Sequence, residues 1–420
     1  MARIKWFNGN QGIYRYENLR DFVYDGASPS SGPLPGGLAA RGTFHAVLRD
    51  GIDYDRTRTP YQVDLDYEGL ETWERPSGPQ EGVATSIDGT ITRITFRDAE
   101  GDKLVQISDI ELDAPAFWRM QSDGVGELYD WIVDGGSTFV GSKDGSGPDS
   151  DWTGDDIGTG AGNDKVRAGG GDDYIKDAGG RDVYRGGGGR DTVSYDQWYW
   201  NPVGMEGGID ADLRKKSVIG PDGARDKLVS IENLRGTQLD DRIRGDRKDN
   251  DLMGLQGDDL LDGKGGFDVV EYRRDADYGG SSGIEANLSE GYAVDGFGTR
   301  DRLRSIEGVV GTDEADLLTG NGKDNYFRGG QGDDTYRLKG GGDFVDAAGG
   351  ADTLVFLGQF GNDRVAGFDA GSDRVRIAGA DRFSDLTLGT DGDGNDYAEW
   401  DGNRVTFEGY GDLGADDFLF

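Results

Sequence analysis

The sequence predicts an all-β protein dominated by an interrupted parallel β-roll, with a small β-rich N-terminal domain and a C-terminal β cap. Three observations carry that expectation. Aspartate or asparagine recurs every nine residues in three runs; an apolar or aromatic residue follows two positions after each; and glycines crowd the positions before most of them. The first run is Asp164, Asp173, Asp182 and Asp191, followed by Val166, Ile175, Tyr184 and Val193. The second is Asp241, Asn250, Asp259 and Asp268, and the third is Asp316, Asn325, Asp334, Asp343 and Asp352. A short fixed period of this kind marks a solenoid.

The spacing has a mechanical reason. Six residues of the form G-G-x-G-x-D make a tight turn, because glycine adopts the positive φ that other residues resist. The next three make a short strand whose central side chain points inward and whose neighbours point out. Two nonamers complete one coil, so acids eighteen residues apart stack on the same edge. That pairs Asp164 with Asp182, Asp173 with Asp191, Asp241 with Asp259 and Asn250 with Asp268. In the third run it pairs Asp316 with Asp334, Asn325 with Asp343, and Asp334 with Asp352. Stacked carboxylates repel unless a cation joins them, and carboxylates beside turn carbonyls are the oxygens that calcium takes six to eight of. The eleven aspartates of the runs are therefore the expected ligands of several calcium ions. Three turns depart from the pattern. Asn250 and Asn325 replace an acid, and residues 246–249 lack most of the turn glycines, so the pairing of Asn250 with Asp268 is expected to be a poor or empty site; Asp177-Ala178 stands where the Asp182 nonamer should have two glycines.

The flanking elements follow in order. Residues 1–145 form the N-terminal domain, with strands expected at 89–97 and 42–48 and with turns such as Ser31-Gly32-Pro33 between such runs. A helical stretch is expected from about Pro115 to Val133, and a linker at 141–148. Residues 150–355 hold the roll. Within it a longer repeat appears: 208–213 matches 283–288, and 226–232 matches 301–307, both about 75 residues apart. Each such unit inserts a segment between nonamer runs, expected to emerge on one side of the roll. Residues 356–420 form the cap, with strands at 373–377 and 403–407 covering the last open coil.

Composition constrains the energetics. A formal net charge of −36, 75 glycines and a hydrophobic fraction of 34% describe a chain that cannot offset its conformational entropy unaided. The repeats are therefore expected to stay largely unfolded without calcium. With a dissociation constant of about 0.1 mM and about 1 mM free ion, each site adds roughly 1.4 kcal/mol. About seven such sites would add roughly 10 kcal/mol, comparable to the stability of a whole domain. At submicromolar calcium the same contribution vanishes. Absence of cysteine excludes disulfides and thiolate chemistry. The acidity argues against nucleic acid and anionic membranes as partners. No stretch approaches a transmembrane length, and residues 1–8 lack the apolar core of a signal peptide.

These nonamers resemble those of the RTX (repeats-in-toxin) family of Gram-negative bacteria, over roughly residues 150–420. The resemblance implies a calcium-stabilised β-roll, export as an unfolded chain by the type I secretion machinery, and folding on external calcium. The segment from Gly361 to the terminal Asp417-Phe418-Leu419-Phe420 looks like the family's uncleaved secretion region.

Members differ in their N-terminal portion, and this chain departs from the enzymatic classes. His45 is the only histidine, so no H-E-x-x-H zinc site exists and any Ser-His-Asp triad would have to use it. The one G-x-S-x-G match, 279–283, follows a polar run and reads as a loop rather than a nucleophile elbow. Residues 391–396 start like an EF-hand loop but have Asp396 at the glycine position, so a hairpin turn is expected. Paired carboxylates for glycoside hydrolysis have no pattern favouring any pair. The aromatic run 195–200 is expected to pack on the roll, with glycan stacking as the alternative. No catalytic residue is expected. The expected function is a secreted calcium-binding structural or adhesive protein at the cell surface or in extracellular matrix, self-associating or binding surface glycans. The alternative is a glycan-binding or carbohydrate-active extracellular enzyme.

Overall fold

The computed structural model describes residues 2–6, 41–47, 62–68, 90–97, 103–113, 137–140, 154–196, 207–347 and 349–420. It divides into two compact units, Met1–Ser194 with Ala224–Ile231, and Tyr195–Gly223 with Glu232–Phe420. The division runs through the repeat region. The helical stretch expected at 115–133 and the linker expected at 141–148 lie outside the described residues.

In the first unit, β-rich alternation builds a sheet that runs into the first nonamers. Arg41–Val47, Gln62–Glu68, Thr90–Arg97, Lys103–Asp113 and Ala2–Trp6 pair antiparallel in that order. Ser137–Val140 then joins Ala2–Trp6 in parallel and hands the sheet on to Lys165–Gly170, Val183–Gly188 and Arg225–Val229, all parallel. Two of these strands match the expectations at 42–48 and 89–97 within a residue or two. The opposite face is the parallel set Asp156–Gly158, Tyr174–Lys176 and Thr192–Ser194.

In the second unit one face is parallel throughout eight strands, from Asn233–Arg235 through Asp251–Met253, Val269–Glu271, Gly308–Val310, Tyr326–Arg328, Phe344–Asp346 and Asn362–Ala366 to Asn403–Phe407. The other face starts Asp210–Asp212, Arg242–Arg244, Leu260–Asp262, Arg300–Arg304. Here the structure corrects one expectation. The second insertion does not emerge from the roll but forms a meander within this face. Tyr292–Val294 pairs antiparallel with both Arg300–Arg304 and Glu285–Asn287, and the latter pairs in parallel with Leu317–Thr319. A projecting insertion would leave the N–H and C=O groups of two parallel edges unpaired. The meander pairs both, and its inward residues Ala286 and Ala293 are small enough to be fully buried. The face then continues through Thr335–Leu338, Thr353–Phe356 and Arg374–Ile377.

The second residue after each repeat acid faces inward. Val166, Ile175, Tyr184, Val193, Ile243, Leu252, Leu261, Val270, Leu318, Phe327, Tyr336, Val345 and Leu354 are all fully buried, so one position in every nonamer contributes to the core. Register stacks them: Leu252 lies against Val270, Val309 against Phe327, and Phe327 against Val345.

The C-terminal segment closes the roll as expected. Antiparallel Asp396–Trp400 and Thr387–Thr390 follow Asn403–Phe407 on one face. Asp391 accepts the N–H groups of Asp393 and Asn395, both at 2.9 Å, in a hairpin turn rather than an ion loop. The Leu419 N–H donates to the Val375 carbonyl at 2.7 Å, and buried Phe418 packs on Phe383, so the tail covers the edge of Arg374–Ile377.

Turn geometry leaves no room for a side chain at some glycines. Gly330 has φ +130°, and a methyl there would sit 1.9 Å from the Thr312 carbonyl oxygen of the preceding coil. Gly330→Ala should therefore lower stability by about 2 kcal/mol or more. Denaturant unfolding in saturating calcium checks this; an unchanged midpoint would contradict the stacking described.

Candidate metal centre

Every acid of the three runs is buried, and each is hydrogen-bonded to a neighbouring coil. The Asp164 N–H donates to Asp182 Oδ1 at 2.6 Å, Asp173 to Asp191 at 3.0 Å, and Asp241 to Asp259 at 2.7 Å. Asn250 donates to Asp268 at 2.9 Å, Asp316 to Asp334 at 2.9 Å, Asn325 to Asp343 at 2.8 Å, and Asp334 to Asp352 at 2.9 Å. All seven expected pairings are thus brought together. The x-U-x strands hold adjacent coils in parallel register, so the residue before each strand lies beside its equivalent eighteen residues on.

The same bond extends beyond the glycine-marked repeats to residues that the nonamer search passed over. Asp155 donates its N–H to Asp173 Oδ1 at 2.7 Å, Asp182 to Asp226 at 2.9 Å, and Asp259 to Asp301 at 3.0 Å. Asp343 donates to Asp363 at 2.8 Å, Asp352 to Asp373 at 2.8 Å, and Asp268 to Glu307 Oε2 at 3.2 Å. A signal existed for them. Asp155, Asp226, Asp301, Asp363 and Asp373 each stand two residues before a buried apolar residue (Ile157, Leu228, Leu303, Val365 and Val375), with glycines in front that fall outside the nine-residue beat, such as Gly223, Gly298 and Gly361.

One carboxylate oxygen makes the coil-to-coil bond. The other is often without a protein donor. Asp173, Asp259, Asp268, Asp343, Asp352 and Asp363 each have a buried Oδ2 that accepts no hydrogen bond. Backbone oxygens converge on the same place: a methyl built on Gly263 would sit 2.4 Å from both Asp268 Oδ2 and the Ser305 carbonyl oxygen. Buried anionic oxygens facing carbonyl oxygens want a hard cation, and this donor set fits calcium. Bound calcium supplies the positive charge that such oxygens otherwise lack. Asp259, Asp268, Asp343 and Asp352, with Asp173 in the first unit and the additional Asp363, are the residues that would hold it.

Other repeat acids are satisfied by the protein. Asp241 accepts from the Ile209 N–H and the Thr237 N–H, both at 2.6 Å, and from the Thr237 hydroxyl at 3.0 Å. Asp316 repeats this with Ile284 at 2.7 Å and Thr312 at 2.8 and 3.1 Å. Asn250 donates through Nδ2 to the Glu232 carbonyl at 2.8 Å, a bond that a carboxylate cannot make. The imperfect turn at Asp182 is filled by chemistry of its own. Asp177 occupies the glycine position, buried, and the Tyr184 hydroxyl lies between the carboxylates of Asp177 and Asp182, 2.7 Å from the latter, sharing its one proton between them. Carboxylate oxygens of Asp177, Asp182 and Asp226 lie within 4.8 Å of one another.

Among the remaining sequence features, His45 lies in the strand Arg41–Val47. The G-x-S-x-G segment follows a short 3-10 turn, Asp275–Tyr278, rather than a strand, as expected for a loop. Tyr195 is fully buried, in keeping with packing on the roll; 197–200 lie outside the described residues.

Burial is the main cause of strong electrostatic perturbation. It pushes Asp173 up to about 8, Asp334, Asp343 and Asp352 to about 7, and Asp268 to about 6. For Asp259 burial and then the charges of Asp301 and Asp241 raise it to about 10. A carboxyl whose folded-state pKa is raised binds its proton more tightly folded than unfolded. Its contribution to stability is present below about pH 4 and is lost as pH rises through roughly 6 to 8 for most of these groups, and nearer 10 for Asp259. In chelator, the repeat region should therefore keep more β-structure at about pH 5 than at about pH 8, and calcium should restore it at the higher pH. Far-ultraviolet circular dichroism checks this, and a chelated protein more ordered at pH 8 would contradict it.

Comparison with known proteins agrees with this geometry. Residues 158–193, 235–270 and 310–345, about a quarter of the chain, match the RTX calcium-binding nonapeptide repeat (4 copies). No curated protein matches. Among solved structures, the extracellular lipase LipA from Serratia marcescens aligns over 88% of this chain and 83% of that chain, at 13% identity and a TM-score of 0.18, a likeness too slight to bear on function. Several calcium ions are the cofactor that these repeats take, and the repeat region of this chain belongs to the RTX calcium-binding nonapeptide family.

Proposed function

We propose that this chain is a secreted protein, structural or adhesive at the cell surface or in extracellular matrix, whose repeats fold on meeting external calcium. The carrying observation is the ladder of buried carboxylates, six of which keep an oxygen with no protein donor. Such a ladder is self-repelling in a chain of net charge −36, and cation binding is what makes its folded form stable. The switch then follows the calcium gradient between cytosol and exterior, which suits export by the type I secretion machinery before folding. Absence of cysteine suits the same route. No helix of the described residues is long and apolar enough to cross a membrane. The N-terminal strands continue directly into the first roll face, which favours a non-enzymatic head built as an extension of the scaffold.

A calcium titration of the full chain tests the reading. Circular dichroism should change from largely disordered in chelator to β-rich at millimolar calcium, with light scattering followed in parallel to detect self-association. A spectrum unchanged over that range would remove the folding argument. Reproducible cleavage of a polysaccharide panel in calcium would overturn the non-enzymatic role.

A further inference from the structure

Many of the nonamer turns fall into two backbone states, and the difference lies four residues before the repeat acid. In the first state that residue donates its N–H to the acid or amide. Thr237 donates to Asp241 Oδ2 at 2.6 Å, Asp246 to Asn250 Oδ1 at 2.8 Å, Thr312 to Asp316 Oδ2 at 2.8 Å, and Asn321 to Asn325 Oδ1 at 2.9 Å. Beyond the runs, Asp369 donates to Asp373 Oδ2 at 2.8 Å. Here the side-chain oxygen that could face an ion is already in use.

In the second state the same position is flipped to positive φ. It is Gly169 (+125°) before Asp173, Gly187 (+130°) before Asp191, Leu255 (+74°) before Asp259, Lys264 (+74°) before Asp268, and Gly330 (+130°) before Asp334. Asp173, Asp259 and Asp268, each at most 1% exposed, then keep an Oδ2 with no donor. Leu255 and Lys264 are telling. They adopt a conformation that side chains with a Cβ avoid, and strain of this kind persists where the surroundings impose it for a purpose. The two states also recur in phase with the long repeat over three turns: Asp241 and Asn250 are closed as Asp316 and Asn325 are, and Leu255 is flipped as Gly330 is, whereas Lys264 is flipped and its equivalent Lys339 is not.

Resting on the calcium-folding reading above, we infer that the flipped turns are the calcium sites and that the closed turns exclude the ion. Asp241 and Asp316 occupy the same place in the nonamer as Asp259 and Asp334, yet their carboxylates are not calcium ligands. Each run of the second unit thus starts with a coil closed by backbone N–H groups, those of Thr237 and Asp246 in one run and of Thr312 and Asn321 in the other, and calcium binds only beyond it. Asp343, whose turn is neither closed nor flipped, and Asp352 also keep an Oδ2 with no donor, and they join the calcium-bearing set of the third run on that ground.

Crystals of the full chain grown with terbium in place of calcium test this directly, because anomalous peaks locate the ions without any substitution. Peaks are expected beside Asp259 and Asp268, with none bonded to the Asp241 or Asp316 carboxylate. A peak bonded to Asp241 or Asp316 would overturn the inference and leave the calcium reading intact, whereas absence of peaks throughout would sink both. In solution, equilibrium dialysis of calcium should give one ion fewer per chain for Asp268→Asn and the wild-type number for Asp316→Asn, which copies the natural Asn325. Equal loss in both variants would contradict the assignment.

Discussion

The bond from the backbone N–H of one coil to the carboxylate of the next is the constraint on which the rest of this molecule depends. It sets the register of adjacent turns, from Asp155–Asp173 in the first unit to Asp352–Asp373 in the second. It also fixes where charge must go. To reach an amide inside the stack, each carboxylate is drawn out of water, and its second oxygen is buried with it. Burial raises the cost of that charge, so the fold that the bond organises is one that needs protons or cations to persist.

The apolar side of the structure is narrow by comparison. Most three-residue strands bury one apolar residue, such as Leu252, Val270 or Phe327, which stacks on its neighbours above and below, and a second set that includes Leu255, Leu338, Phe356 and Phe360 adds to it. A core of that thickness cannot by itself overcome the chain entropy of so many glycines. The turns therefore contribute to stability in two ways. Where Thr237 or Thr312 supplies donors, the protein neutralises its own acid by hydrogen bonding. Where Leu255 or Lys264 is flipped, it accepts backbone strain and leaves the oxygen for an ion. Stability is thus divided between a part intrinsic to the chain and a part set by the calcium around it.

The insertions follow the same economy of edges. A parallel roll cannot simply stop and resume without exposing two rows of backbone groups. Threading 285–304 through the face as a meander keeps the pairing unbroken between Leu260–Asp262 and Leu317–Thr319. At the other end the C-terminal hairpin and the Leu419–Val375 bond perform the corresponding task.

The sequence by itself determined the roll, the inward residues and the seven stacked pairs, because a period of nine maps directly onto a turn and a strand. It also placed the cap, and it identified calcium through the acids and glycines together. Tertiary structure alone decided three things. It enrolled Asp226, Asp301, Asp363 and Asp373, which stand off the nine-residue beat and carry only a nearby glycine and the D-x-apolar spacing that many unrelated segments share. It wove the second insertion into a face, since edge pairing is a property of neighbouring coils that no single stretch encodes. And it separated Asp241 from Asp259, identical in type and position, because the sign of φ four residues earlier governs whether an amide or open space meets the carboxylate.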